Sequence, residues 1–109
     1  MIRVFISLPM SGRPDEDVRK ERDELMEKFK EMYHGNEKVM FTDNLDCEDP
    51  SELYSEDFIV TKNLFYLGAA IANLGTCKAA IFSPNWESAR GCKIEREVCE
   101  LYNIDIIDA

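Results

Sequence analysis

The stretch that most constrains the fold of this chain runs from Lys78 to Tyr102 and reads KAAIFSPNWESARGCKIEREVCELY. It opens with a short apolar run, Ala79 to Phe82, and continues through a turn of small and polar residues. Beyond Gly91 the apolar residues are spaced four and three apart, which is typical of an amphipathic helix. A strand, a turn and a helix in this order form half of a βαβ unit. The pattern therefore predicts a parallel α/β sheet, in which ligands bind where strands end and helices begin.

The rest of the chain continues this alternation. Three further apolar runs predict strands, and they span Ile2 to Ser7, Lys38 to Thr42 and Ile104 to Ile107. One helix is predicted to begin near Pro14 and to end at His34-Gly35-Asn36, and another to run from about Glu56 to Gly75. Right-handed crossovers then give a parallel sheet of four, or at most five, strands in the order 2-1-3-4, with helices on both faces. A chain of 109 residues is expected to form one domain, 1–109.

Glu95 is the candidate catalytic residue. At about 100° per residue, Ile94, Val98 and Leu101 form the stripe predicted to be buried, and Glu95 lies on its flank, half buried. We expect it in the first helical turn, where the helix N-terminus stabilises an anion and partial burial opposes ionisation. An ionised carboxylate at the mouth of a cleft suits a nucleophile or an electrostatic stabiliser. Spacing alone leaves a second interpretation equally open, a boundary glutamate that caps the helix charge.

In a sheet ordered 2-1-3-4 the switch point lies between the first and third strands. The loops that follow these strands, Leu8 to Arg13 and Ser83 to Gly91, are therefore expected to face each other across one crevice. Five residues are predicted to surround that crevice: Ser7, Pro9, Met10, Trp86 and Glu95. The acidic loop from Asp43 to Glu52 also follows a strand and is placed at the edge of the same cleft. It lacks the spacing of an EF-hand, so a solvated loop is favoured over a cation site.

Composition excludes several classes of function. The 22 acidic and 13 basic residues give a net charge of −9, which argues against binding to a nucleic-acid backbone. Four cysteines form no C-x-x-C pair and the chain has one histidine, so neither a metal site nor a cofactor is expected. Met1-Ile-Arg leads directly into a strand-like run, so no signal peptide is expected and reduced thiols in a cytoplasmic protein are predicted. No apolar run approaches the length of about 20 residues that spans a membrane.

The helix predicted from Glu56 to Gly75 carries two apolar stripes. The stripe expected to pack on the sheet is Val60, Leu64, Leu67, Ile71 and Leu74. The stripe on the opposite side is Phe58, Phe65, Ala69 and Ala72. A helix that is apolar on both sides is expected to be buried on both. The second stripe therefore predicts a homodimer or higher homo-oligomer, with a local hydrophobic patch as the alternative.

Two segments carry a family resemblance. The first strand continues into F-I-S-x-P-M-S-G, and the late loop and helix read N-W-E-S-A-R-G-x-x-x-E. Together they resemble the nucleoside 2-deoxyribosyltransferase superfamily, most nearly its small branch of uncharacterised phage and bacterial members. The resemblance implies a flavodoxin-like, Rossmann-like three-layer fold, and oligomers are common in this superfamily. It also implies a small-molecule nucleoside or nucleotide as partner, with no nucleic acid and no membrane.

The resemblance further implies roles for single residues. Glu95, four residues after the loop glycine, would attack the anomeric carbon, and Phe5 would lie near the sugar. Met10 and Trp86 would contact base or sugar. The full set of expected substrate-binding residues is Phe5, Ser7, Pro9, Met10, Ser11, Asp43, Trp86, Ser88, Arg90 and Gly91. Ser7, Ser11 and Arg90 within this set would lie near polar or phosphate groups.

The chain departs from the family pattern at several positions. Ala70 stands where members carry an aspartate near the leaving group, so Asp43 or Asp57 would have to reach the site from another loop or subunit. Ala89 stands where members carry a Ser or Asp that holds a sugar or phosphate oxygen. Ser88 and Arg90 would provide that contact instead. Two further departures are Lys78, where an aspartate is frequent, and Leu8, where a glycine is common. Two functions are therefore predicted as alternatives: cleavage or exchange of an N-glycosidic bond through Glu95, or binding of a nucleotide or nucleotide-derived signal without turnover.

Overall fold

The computed structural model describes residues 1–43, 54–55, 57–58 and 60–109. Within these ranges the strands are β1 (Ile2–Ser7), β2 (Val39–Thr42), β3 (Ala79–Phe82) and β4 (Asp105–Asp108). Its helices, within those residues, are α1 (Asp15–Met32), α2 (Lys62–Leu74) and α3 (Arg90–Leu101), with a short 3-10 helix at Trp86–Ser88. The predicted acidic loop from Asp43 to Glu52 lies, after its first residue, outside the described residues.

The strands form one parallel sheet in the order β2-β1-β3-β4, which confirms the predicted order. β1 is central and pairs on one side with β2, Phe5 opposite Thr42, and on the other with β3, Ser7 opposite Phe82. The carboxyl ends of β1 and β3 therefore lie side by side, at the point where the chain changes direction across the sheet.

The two faces of the sheet carry separate hydrophobic clusters, because successive side chains of a strand point to opposite faces. Val4, Ile6 and Leu8 of the first segment pack with Val18, Leu25 and Phe29, so α1 covers that face. Phe5 packs on the other face with a second cluster, which consists of Ala70, Leu74, Ala80, Phe82 and Cys99. Since these residues include α2 and α3 positions, the molecule has three layers with helices on both faces, as predicted.

The start of α2 differs from the sequence prediction. The helix begins at Lys62, whereas Phe58 lies in a turn and Val60 in a bend. These two side chains are 78% and 94% exposed, so neither of them is part of a buried helical stripe, contrary to the prediction. Leu64 is also exposed, at 64%, while Leu74 is fully buried. Phe58 and Val60 find no core to cover them among the described residues, so the spacing of apolar residues was misleading about the helix start.

The remaining boundaries agree closely with the pattern. β1 and β3 have the predicted ends, β2 begins one residue later, and β4 is displaced by one residue. Of the helices in the described ranges, none has the length and apolar character needed to cross a membrane.

Candidate functional site

The centre of the site is a hydrogen-bonded pair of buried side chains at the end of β1. Ser7, the last residue of that strand, donates from Oγ to Glu95 Oε1 at 2.7 Å. Both side chains are buried, and Glu95 is only 4% exposed. The expectation that Glu95 is half buried at the flank of its helix is therefore wrong.

The reason is a rotation of α3 relative to the predicted one. Its buried residues are Cys92, Glu95 and Cys99, while Ile94 is 40% and Leu101 70% exposed. Cysteine behaves as a small hydrophobic residue and is often fully buried. Cys99 packs in the cluster that contains Phe5, and the face that carries it also carries Glu95 towards Ser7.

Burial controls the ionisation of Glu95. Removal from water raises the pKa of this carboxyl to about 7, and the hydrogen bond from Ser7 acts in the opposite direction with a smaller effect. α3 begins at Arg90, so Glu95 lies in the second turn rather than in the predicted first turn, beyond the main reach of the helix N-terminus. Charged and neutral forms of Glu95 are therefore both populated near neutral pH.

A second pair of the same kind lies at the end of β3. Ser83, fully buried, donates from Oγ to Glu21 Oε2 at 2.8 Å. Its backbone N–H also donates to the carbonyl oxygen of Ser7 at 2.9 Å, so the two serines are neighbours. Their side chains leave the sheet on opposite faces, Ser7 towards α3 and Ser83 towards α1. The carboxyl edge of the two central strands thus carries one serine–glutamate pair on each face.

Arg13 attaches the loop after β1 to the second pair. Its Nη1 donates to Glu21 Oε1 at 2.6 Å and to the carbonyl oxygen of Pro9 at 2.7 Å. The loop turns at Gly12, whose φ of 75° lies in the left-handed region that glycine adopts without strain. Both carboxylate oxygens of Glu21 therefore accept hydrogen bonds. One comes from Arg13 in the loop before α1, and the other comes from Ser83, which directly follows β3.

Cys92 lies near both carboxylates. Burial raises the pKa of its thiol to about 11; the Ser7 hydroxyl acts in the opposite direction, and the negative charges of Glu95 and Glu21 raise the pKa further. The geometric link between the two serine–glutamate pairs is the backbone hydrogen bond from Ser83 N–H to the carbonyl oxygen of Ser7.

Trp86 lies in the 3-10 helix after β3, and its backbone N–H donates to the carbonyl oxygen of Ser83 at 3.1 Å. The Arg96 guanidinium carbon is 4.3 Å from the centre of the indole ring and 5.1 Å from that of Phe82. The same guanidinium forms two hydrogen bonds with Asp108, at 2.7 and 3.1 Å. One face of the indole is therefore covered by a cation, and a ligand can stack only on the other face.

The other predicted substrate-binding residues differ in accessibility. Phe5 is fully buried in the hydrophobic cluster beneath α2 and α3, so it does not reach a ligand surface in this arrangement. Ser11 and Arg90 are exposed, and Pro9 and Met10 are half-buried in the loop after β1. Met10 packs against the cluster on the α1 face.

The last three predicted residues lie on three different segments of the chain. Ser88 is exposed and donates from Oγ to the carbonyl oxygen of Asn85 at 2.7 Å. Gly91 is half-buried in the first turn of α3. Asp43 follows β2 and lies 3.7 Å from Arg22 of α1, which places its carboxylate on the α1 face of the sheet.

Sequence reasoning missed Glu21, Ser83 and Arg13. A signal for Glu21 was present, because it lies three residues after Val18 and four before Leu25 and so shares the buried face of α1. The position of Glu21 on this face does not predict that Ser83 is its partner. That contact depends on the register between β1 and β3, which sets how far β3 extends beside β1.

Within the described ranges, no group of three or more His, Cys, Asp or Glu side chains is arranged to hold a metal ion. Comparison with models of known protein families, with curated proteins and with solved structures gives no match to this chain.

Proposed function

We propose that this protein cleaves or exchanges the N-glycosidic bond of a nucleoside or nucleotide, with Glu95 as the nucleophile. The observation that carries the proposal is the buried pair of Ser7 and Glu95 at the carboxyl end of the central strand. Ligands of parallel α/β folds bind at this edge, next to the switch point. A buried carboxylate with a perturbed pKa in such a place is a candidate for catalysis.

The proposed reaction is a double displacement. Glu95 in its ionised form attacks the anomeric carbon while the bond to the base breaks, and the electron pair of that bond leaves with the base. Water or a second base then attacks the glycosyl ester and restores the carboxylate, and the proton that the attacking group loses neutralises the base that departed as an anion. Ser7 holds Oε1, so we assign the attack to Oε2, which accepts no hydrogen bond from a described residue.

A second function, binding without turnover, is favoured by two specific observations. Glu95 is 4% exposed, so a substrate reaches it only after a covering group moves. Ala70, which stands where the resembling family carries an acid, is fully buried in the cluster with Phe5. No proton donor for the departing base comes from that position. A crevice with Trp86 at its side would then hold a nucleotide without breaking it.

The test is incubation of the purified protein with a panel of nucleosides and nucleoside monophosphates, with free base measured by chromatography. A thermal-shift measurement accompanies each sample. We expect free base from the wild type and a loss of at least about a thousandfold in Glu95→Gln, because an amide cannot form the glycosyl ester. Glu97→Gln, an exposed change on the same helix, is the matched control and should retain activity.

Two outcomes would redirect the proposal. Turnover retained in Glu95→Gln would remove Glu95 as nucleophile. A thermal shift without free base would instead support the nucleotide-binding function.

A further inference from the structure

Trp86 lies on the same face of the sheet as the pair of Ser7 and Glu95. Ser7, Phe82 and Asp108 are directly paired across β1, β3 and β4, so they form one row at the carboxyl end of the sheet. The side chains at both ends of this row bind residues of α3. Phe82, in the middle, packs in the cluster beneath α2 and α3, and the indole packs against the same cluster.

The Arg96 guanidinium lies between two aromatic rings. The rings of Phe82 and Trp86 have their centres 6.5 Å apart and their planes 74° apart. The guanidinium carbon is 4.3 Å from the centre of the indole and 5.1 Å from that of Phe82. A cation at these distances is attracted to the electron-rich face of a ring. The indole therefore has two neighbours that oppose a change in the plane of its ring.

Two hydrogen bonds fix the guanidinium in this position. Nη1 and Nη2 of Arg96 donate to the two carboxylate oxygens of Asp108 at 2.7 and 3.1 Å, which is the two-bond geometry that arginine forms with a carboxylate. These hydrogen bonds raise the pKa of Arg96 and lower that of Asp108, so both groups are charged near neutral pH. Asp108 thus acts on the indole through Arg96.

Two short connections join Trp86 to Glu95. Arg96 directly follows Glu95 in α3. The backbone N–H of Trp86 donates to the carbonyl oxygen of Ser83 at 3.1 Å, and the N–H of Ser83 donates to that of Ser7 at 2.9 Å. Ser7 in turn donates to Glu95. The indole is therefore held relative to the proposed nucleophile both through α3 and through the end of β3.

We infer that Arg96 is a positioning residue for ligand binding. Held by Asp108, it covers one face of Trp86 and presets the plane of the indole, so that a planar ring of the ligand stacks on the opposite face. A preset side chain loses little freedom when a ligand binds, so its benefit is in the affinity. The inference rests on the proposed function only for the identity of the planar ring as a nucleobase.

The first measurement is the mobility of the indole in the protein without ligand. Trp86 is the single tryptophan of the chain, so its fluorescence reports on this position alone. Time-resolved anisotropy of Arg96→Gln and Asp108→Asn should gain a fast component that wild type lacks. Arg19→Gln is the matched control, because it removes an arginine that binds Asp15 at 2.8 Å on the exposed surface of α1.

The second measurement is affinity, with adenine, cytosine and thymine as probes, each beside its deoxynucleoside. Dissociation constants come from calorimetry, and base release from the deoxynucleosides is followed by chromatography. Arg96→Gln should weaken the binding of a base about tenfold, the upper range of a cation–π contact. Arg96→Lys should lose less, because the ammonium keeps the charge and lacks the two-bond geometry. KM should rise with kcat unchanged, and Arg19→Gln should match wild type.

A double-mutant cycle shows whether Arg96 acts through the indole. In a Trp86→Ala background, Arg96→Gln should cause no further loss of affinity for the base, because the ring that it positions is gone. Losses that add in the double variant would overturn the inference, since Arg96 would then act on the ligand by another route.

The outcomes separate this inference from the proposed function. Unchanged affinity in Arg96→Gln, or a lower kcat at unchanged KM, would overturn the inference, and Asp108→Asn gives the same test if Arg96→Gln fails to fold. Binding of bases that depends on Arg96, without base release from any deoxynucleoside, would uphold the inference and refute turnover. Base release that depends on Glu95, with no binding of the three bases and no change in Trp86 fluorescence, would overturn the inference and support glycosidic chemistry. Absence of both binding and release would refute both.

Discussion

At the scale of single residues, Glu95 couples the stability of the fold to pH. Its pKa is raised by burial from the usual 4.5 to about 7, so between these values the folded state holds a proton that the unfolded state has lost. The contribution of Glu95 to the free energy of unfolding is therefore fully present below about pH 4.5 and is lost as pH rises through about 7. The total loss of free energy of unfolding over this range is about 3 kcal/mol.

We therefore predict that wild type loses free energy of unfolding between about pH 5 and pH 8, and that Glu95→Gln lacks most of this loss. Urea denaturation at both pH values measures it. Glu97→Gln controls for the change in net charge, because its side chain is exposed. An equal pH dependence in wild type and Glu95→Gln would show that the carboxyl does not titrate in this range.

Ser7 supports the charged form of Glu95. Ser7→Ala removes the 2.7 Å hydrogen bond, so the pKa of Glu95 should rise further. At about pH 8 the variant should lose about 1–3 kcal/mol, because a buried acceptor is left without its donor. Urea denaturation is again the measurement, with Ser88→Ala as the control for loss of an exposed hydroxyl. An equal loss of free energy of unfolding in Ser7→Ala and Ser88→Ala would contradict this role of Ser7.

The two glutamates show how far sequence reasoning reaches at this scale. Glu95 belongs to a compact motif, G-x-x-x-E, and could be selected before any coordinates existed. Glu21 belongs to no motif, and its meaning comes from Ser83, which lies 62 residues away in the chain. A contact of that kind depends on strand register, and local patterns contain no information about register across a crossover connection.

At the scale of elements, the helices were located more accurately than they were oriented. The apolar run of β3 and the periodic pattern after Gly91 predicted a strand followed by a helix, as observed. The predicted rotation of α3 about its own axis was wrong because its largest aliphatic side chains, among them Ile94 and Leu101, were assigned to the core. Close packing of α3 on the sheet instead uses Cys92 and Cys99, which are small enough to let Glu95 approach Ser7.

This orientation makes a prediction about stability. Leu101 is 70% exposed, so Leu101→Glu should change the free energy of unfolding by no more than about 0.5 kcal/mol. Leu74→Ala, at a fully buried position of α2, should cost about 2–5 kcal/mol. Thermal or urea denaturation of the two variants compares them directly. A large loss in Leu101→Glu would favour the rotation of α3 that the spacing of apolar residues predicted.

At the scale of the whole molecule, several apolar side chains on and before α2 are exposed. Leu64 and Phe58 are largely exposed, while Phe65 is half-buried and its ring lies 5.6 Å from that of Tyr54. Phe58 precedes the helix, so only Phe65, Ala69 and Ala72 of the predicted second stripe are helical. The proposal of a homodimer or higher homo-oligomer therefore rests on a surface that includes Leu64 more than on the predicted stripe.

We predict that Leu64→Glu yields a smaller species than wild type in size-exclusion chromatography with light scattering. The substitution introduces a charge into the proposed interface and disturbs no buried packing, since Leu64 is exposed in the single chain. Asn63→Glu, an exposed neighbour on the same helix, is the control. Identical masses for wild type and Leu64→Glu would exclude this surface from self-association.

The central position of β1 has a consequence for the order in which the protein is made and folds. β1 is synthesised well before β3, yet Val4 pairs with Ala79, so one edge of this apolar strand stays unpaired until β3 has followed. Pairings between distant segments slow folding, and an apolar strand with an unpaired edge is prone to associate with other chains meanwhile. The two serine–glutamate pairs, which lie where β1 meets β3, can therefore come together only after these two strands have paired.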